Sequence, residues 1–153
     1  MKIQWKKLIL CIVIPLAVGG LSALLTKDAA QAFTLLNKPP LSPPAWLFPV
    51  LWTILYILMG IASYMILVSG KSVSGSLIVY AIQLFFNFSW TLIFFNLTAY
   101  LPAFLWLTAL WLLILITIFL FRRISAAAAL LLVPYILWVT FAGYLNLMIY
   151  IRN

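Results

Sequence analysis

The stretch from Tyr100 to Phe121 reads YLPAFLWLTALWLLILITIFLF and carries no charge and no amide. A bilayer core ~30 Å thick is crossed by ~20 apolar residues of α-helix, so this run alone is long enough to span a membrane. Working outward from it, polar or Gly/Pro punctuation bounds four more runs of that kind, at about Leu8 to Thr26, Trp46 to Ser69, Ser76 to Asn96 and Ala126 to Tyr150. They are apolar around the whole circumference and lack the short in-out alternation of a membrane β-barrel. Of the 153 residues, 68% are hydrophobic and 7% charged, against ~25% charged in a soluble domain. The fold expected is an all-α integral membrane protein, a five-transmembrane-helix bundle forming one domain over residues 1–153. The loops left over have no room for a soluble catalytic domain, a periplasmic binding domain or an ATPase.

The chain has nine Lys plus Arg, one acid (Asp28), no His and one Cys (Cys11). That inventory excludes chemistry run on a His base or a carboxylate pair, and it supplies no metal site. Lys2, Lys6, Lys7, Lys71, Arg122 and Arg123 fall on one side of a five-span topology, against Lys27, Lys38 and Arg152 on the other. The positive-inside rule then places the N-terminus in the cytoplasm, with a bacterial cytoplasmic membrane as the expected location. The net charge of +8 needs no nucleic-acid partner, because the basic residues sit at span ends and can snorkel to lipid headgroups. Ala30-Gln31-Ala32 resembles a signal-peptidase site behind a basic N-terminus. The first run exceeds the usual ~7–15-residue signal core, and Pro15 with Gly19-Gly20 suits a packed membrane helix, so a retained span is expected.

Residues 27–45 form the one long loop and hold Pro39, Pro40, Pro43 and Pro44, half of the eight prolines. Each Pro removes a donor and restricts its predecessor, so the segment should be a stiff, partly extended cap, either a connector or a lid. In the third span Gln83, Asn87, Trp90 and Phe94 follow the steps i, i+4, i+7, i+11 and share one helical face. Amides in hydrocarbon need partners, so Gln83 and Asn87 should point inward, to another helix or to a ligand. The fifth span places Trp138, Ala142 and Leu145 on one face with Asn146 beside them, and the second offers Trp52 and Tyr56. Small Ala142 among bulky neighbours suggests space for something flat. Leu147, Tyr150 and Arg152 fit the permissive L/V, Tyr, Lys/Arg pattern proposed for sterol contact.

Four blocks carry a family resemblance: Pro15 with Gly19-Gly20, KPPLSPPAWLFPVLWTILYILMG from Lys38 to Gly60, QLFFNFSW from Gln83 to Trp90, and PYILWVTFAGYLN from Pro134 to Asn146. In these the chain resembles the tryptophan-rich sensory protein family (TspO), whose mitochondrial members are called translocator protein or peripheral benzodiazepine receptor. The resemblance implies a five-helix bundle, a homodimer, and a cavity below the first loop that accepts porphyrins, haem, isoquinoline- or benzodiazepine-type drugs and sterols. Carried over by motif, the ligand positions are Pro44, Phe48, Trp52, Asn87, Trp90, Trp138, Ala142 and Leu145, and the sterol segment is the one ending in Tyr150 and Arg152. One departure is Ala32-Phe33, where many members have Trp-Tyr before the Lys-Pro of the first loop.

The leading expectation is therefore a membrane protein that binds porphyrin or haem for sensing, sequestration or transport, with no obligatory cofactor. Three indoles, Trp52, Trp90 and Trp138, would pack on a flat guest, Asn87 would orient a polar edge, and Lys27 and Lys38 would meet its propionates. Without His, free-base porphyrin should bind at least as readily as haem. The alternatives are a light- and oxygen-dependent porphyrin-degrading enzyme using Trp52 or Trp138, and a passive carrier of flat apolar small molecules. Coupled transport has no acidic residue within a span to use.

Overall fold

The computed structural model describes residues 2–153. Helix α1 (Trp5–Leu25) is followed by a short α2 (Ala29–Leu35), then by α3 (Leu47–Leu67) and α4 (Ser74–Thr91), which runs on as a π-helical turn over Leu92–Asn96. Helix α5 (Tyr100–Ile124) precedes α6 (Ala126–Leu131) and α7 (Val133–Arg152), which together make the last span. Five helical units are long and apolar enough to cross a membrane, and the described residues contain no strand. Large apolar side chains such as Ile9, Leu10, Val13 and Ile14 on α1 and Leu112, Leu115 and Phe119 on α5 face outward. Exposed apolar faces of that extent suit lipid and would be a liability in water.

The spans close into a ring in which α1 packs on α3, α3 on α6, the last span on α5, and α5 on α4. The contact from α4 back to α1 is the thinnest of the circuit. The main core lies between α3, α5 and the last span and includes Met59, Ala62, Ile66, Leu107, Leu110, Ile114, Tyr135 and Val139. A smaller cluster of Phe33, Phe94, Ala103 and Ile149 sits at the other end, under α2. Exposed hydroxyls bond back along their own helices, as Thr108 Oγ1 does to the Phe104 carbonyl at 2.9 Å, and the buried Thr117 Oγ1 does the same to Leu113 at 2.7 Å. This satisfies them without a partner helix.

Two local departures from the sequence reading have physical causes. The Pro-free part of the first loop, AAQAFTL, is helical as α2, and Lys38 Nζ closes its C-terminal end by donating to the Phe33 and Thr34 carbonyls at 3.1 and 3.4 Å. Only from Leu36 onward is the loop extended and turned, with Ser42 N–H and Oγ both donating to the Pro39 carbonyl. The last span is interrupted at Leu132, two residues before Pro134, whose missing N–H cannot continue the helical ladder. Ser125 caps α6 by accepting from Ala128 N–H at 3.3 Å.

Candidate functional site

At the α2 end of the bundle a cavity of about 460 Å³ opens among four spans, within the ~300–1,000 Å³ usual for small-molecule sites. From α1 and its C-terminal cap come Leu16, Gly19, Gly20, Ala23 and Thr26. From α3 come Phe48, Trp52 and Tyr56; from the end of the third span Trp90, Phe94 and Phe95; and from α7 Ala142, Leu145, Asn146 and Ile149. Phe33 of α2 forms the roof, edge-on to Phe48 with centroids 4.9 Å apart. Helix α5 contributes nothing to the wall and acts as a buttress. Its Trp106 Nε1 donates to the Phe86 carbonyl at 3.1 Å, and its Trp111 Nε1 to Thr140 Oγ1 at 2.8 Å.

The π-helical turn shapes one wall. An α-helix separates consecutive side chains by ~100°, yet Phe94 and Phe95 both line the cavity. The wider turn, closed by Leu97 N–H to the Leu92 carbonyl at 3.1 Å, turns both rings toward it. π-turns of this kind concentrate at functional sites. Asn96 at its end donates to the Leu25 carbonyl at 2.9 Å, which straps the third span to the end of α1.

Six of the ligand residues expected from sequence line the cavity: Phe48, Trp52, Trp90, Ala142, Leu145 and Asn146. Asn146 does two jobs, accepting from Trp90 Nε1 at 3.0 Å and donating to the Tyr100 carbonyl at 2.8 Å, so it holds the Trp90 indole in place. Four do not line it. Pro44 lies out in the loop, its carbonyl accepting from Leu47 N–H. Trp138 stands behind Phe48, ring centroids 5.6 Å apart, and its buried Nε1 has no hydrogen-bond partner. Gln83 and Asn87 lie deeper, in a network with two tyrosines. Tyr56 hydroxyl donates to Asn87 Oδ1 at 2.8 Å, Asn87 Nδ2 donates to Tyr135 hydroxyl at 2.8 Å, and Tyr135 hydroxyl donates to Gln83 Oε1 at 2.7 Å. Of the two partners left open for these amides, the structure supplies other helices. Asn87 therefore reaches the cavity only through Tyr56, whose ring is part of the wall. Of the sterol-pattern residues, Tyr150 and Arg152 are exposed and Leu147 half-buried on the outer side of α7, away from the cavity.

The network predicts a stability effect. Asn87→Leu leaves the Tyr56 and Tyr135 hydroxyls each short of a partner in a dry interior, and is expected to cost about 2 kcal/mol. Thermal unfolding in detergent against Tyr135→Phe, which spares the Tyr56 bond, would measure it; a wild-type midpoint for Asn87→Leu would contradict the network's role.

The residues missed at the sequence level are mainly those of α1, together with Tyr56 as wall and Phe95. A signal for α1 was present in Gly19-Gly20, which suggests close helix contact. A Cβ on Gly19 would overlap the Tyr56 ring, whereas Gly20 has open space beside it. The first glycine lets α1 lie against the ring, and the second leaves part of the cavity unfilled.

Taken together, the ring of five spans and the aromatic chamber beneath a short roof helix define a multi-pass helical membrane protein with a cavity of small-molecule size between its spans. The family model described as the TspO/MBR family matches residues 11–152. The chain is 43% identical to a tryptophan-rich protein TspO of Chlorobaculum tepidum, over 91% of this chain and 90% of that one. It is 42% identical to the protein CrtK of Rhodobacter capsulatus, over 77% and 76%. A translocator protein of Bos taurus is 34% identical, over 87% and 82%. The chain belongs to the TspO/MBR family.

Proposed function

We propose that this protein binds a porphyrin, free-base or as haem, in the cavity beneath α2 and holds it for sensing, sequestration or transfer. The observation that carries the reading is the wall itself: Trp52 and Trp90 with Phe48, Phe94 and Phe95 around an apolar space whose floor includes small Ala142. A flat π-rich guest gains offset-stacked or edge contacts from such rings, and the few polar groups at the rim suit its carboxylate edge. The family relationship supports the same reading, since relatives are named for their tryptophan content and for sensing or translocation. The bias of basic residues supports a cytoplasmic N-terminus, which puts the cavity mouth on the opposite face of the membrane.

Titration of the purified protein with protoporphyrin, followed by tryptophan fluorescence, tests the reading. Trp52→Ala and Trp90→Ala each remove a wall indole and are expected to weaken binding about tenfold, or about 1.4 kcal/mol. Trp138→Ala should cost less, because Phe48 stands between its ring and the cavity. Saturable quenching unchanged in all three variants would refute the assignment of the site.

A second reading, oxygen- and light-dependent degradation of the bound porphyrin, is favoured by one contact. Trp52 stacks on Tyr56 at 5.6 Å between centroids, so a redox-active pair lies in the wall. The porphyrin would supply the photochemistry and the protein the oriented indole. Porphyrin loss under illumination that persists in Trp52→Phe would exclude this role for Trp52.

A further inference from the structure

Two cavities meet at the corner between α1 and α2. The second, of about 430 Å³, is bounded by the end of α1, the start of α2 and Asn96, and it shares Thr26, Lys27, Ala29 and Phe95 with the first. Lys27 thus stands on the boundary between an apolar chamber and a more polar vestibule. The bundle is thinnest on this side, where α4 meets α1 and the Asn96 to Leu25 bond straps the two together.

The two lysines of this end differ in what they are free to do. Lys38 Nζ is committed to the Phe33 and Thr34 carbonyls and lies 4.9 Å from the Phe33 ring centroid. Lys27 makes no hydrogen bond and no ion pair among the described residues, and it borders both cavities. Asp28, the one acid of the chain, lines the vestibule only. The rim of the apolar chamber is therefore positive, while the space outside it carries both signs. A guest whose flat body lies among the aromatic rings has one place on this rim for an anionic edge, beside Lys27; an acid group further out meets Asp28.

Resting on the porphyrin reading above, we propose that Lys27 is a specificity-determining residue that pairs with a carboxylate on the guest's edge, so that the cavity selects flat apolar molecules carrying an acid group over their neutral counterparts. The ammonium is exposed, so the preference is modest, and screening by salt reduces it. Lys38 takes no part in it, being held as the cap of α2.

The test compares protoporphyrin with its dimethyl ester, which keeps the ring and removes both acids. Binding is measured by tryptophan quenching in nanodiscs of neutral lipid, corrected for partition into protein-free discs. Wild type is expected to bind the acid about fivefold more tightly than the ester, at the upper end for an exposed ion pair. Lys27→Met should bring the two together by weakening the acid alone, with ester binding unchanged as the check on the fold. Lys27→Arg should keep the preference, Lys38→Met should leave the ratio at its wild-type value, and 1 M NaCl should shrink it. Equal binding of acid and ester by wild type, or an unchanged ratio in Lys27→Met, would overturn the assignment to Lys27 and leave porphyrin binding standing. Failure of both compounds to bind would instead remove the porphyrin reading and this inference with it.

Discussion

Gly60→Leu is expected to cost about 4 kcal/mol or more and to leave little folded protein on extraction into mild detergent. A Cβ at Gly60 would lie 2.5 Å from Ile12 Cα and 2.7 Å from the Cys11 carbonyl oxygen. Both are backbone atoms of α1, so no side-chain rotation relieves the overlap, and α1 and α3 have to separate. That contact is the most extensive between any two single helices of the ring, and without water to drive apolar association, close packing of this kind is what holds membrane helices together. Gly60→Ala should fall between wild type and Leu. Thermal unfolding of the purified variants, with Gly75→Ala as a control at a glycine with open space around it, measures the effect; a wild-type midpoint for Gly60→Leu would mean the helices do not meet there.

Ala142→Phe should abolish porphyrin binding, with affinity lowered at least about a hundredfold, or about 2.7 kcal/mol, while the protein remains folded. Ala142 is buried and borders the cavity, so the added ring has space to occupy that the guest would otherwise fill. The two substitutions make a contrast. Extra volume at Gly60 meets backbone and breaks packing, whereas extra volume at Ala142 enters empty space and blocks a ligand. A folded Ala142→Phe protein that binds protoporphyrin as wild type does would place the guest elsewhere.

Much of the fold was legible because lipid imposes simple demands. A span must be about 20 residues long, apolar all round and internally hydrogen-bonded, and the five runs read from the sequence match the five helical spans to within a few residues, counting the break at Leu132. Faces were legible too. The spacing of Gln83, Asn87 and Phe94 predicts one inward stripe, and all three are buried. Less visible were α2, a seven-residue helix held by a lysine cap and one buried phenylalanine, and the π-turn after Thr91, which has no local signature in LIFFN.

Helical periodicity tells which residues share a face, but not what stands opposite them or at which depth. By itself the sequence determined the membrane setting, the number of spans, the scarcity of ionisable side chains and the set of inward-facing aromatic and amide residues. Only the tertiary structure decided how that set divides. Asn146 borders the cavity while Asn87 and Gln83 are bonded to tyrosines beneath it, because those partners lie 31 and 52 residues away in sequence and meet only when α3, α4 and α7 pack. The same holds for the two lysines of the first loop: identical in charge, they flank the seven-residue α2, which commits Lys38 to its C-terminal end and leaves Lys27 at the rim of the cavity.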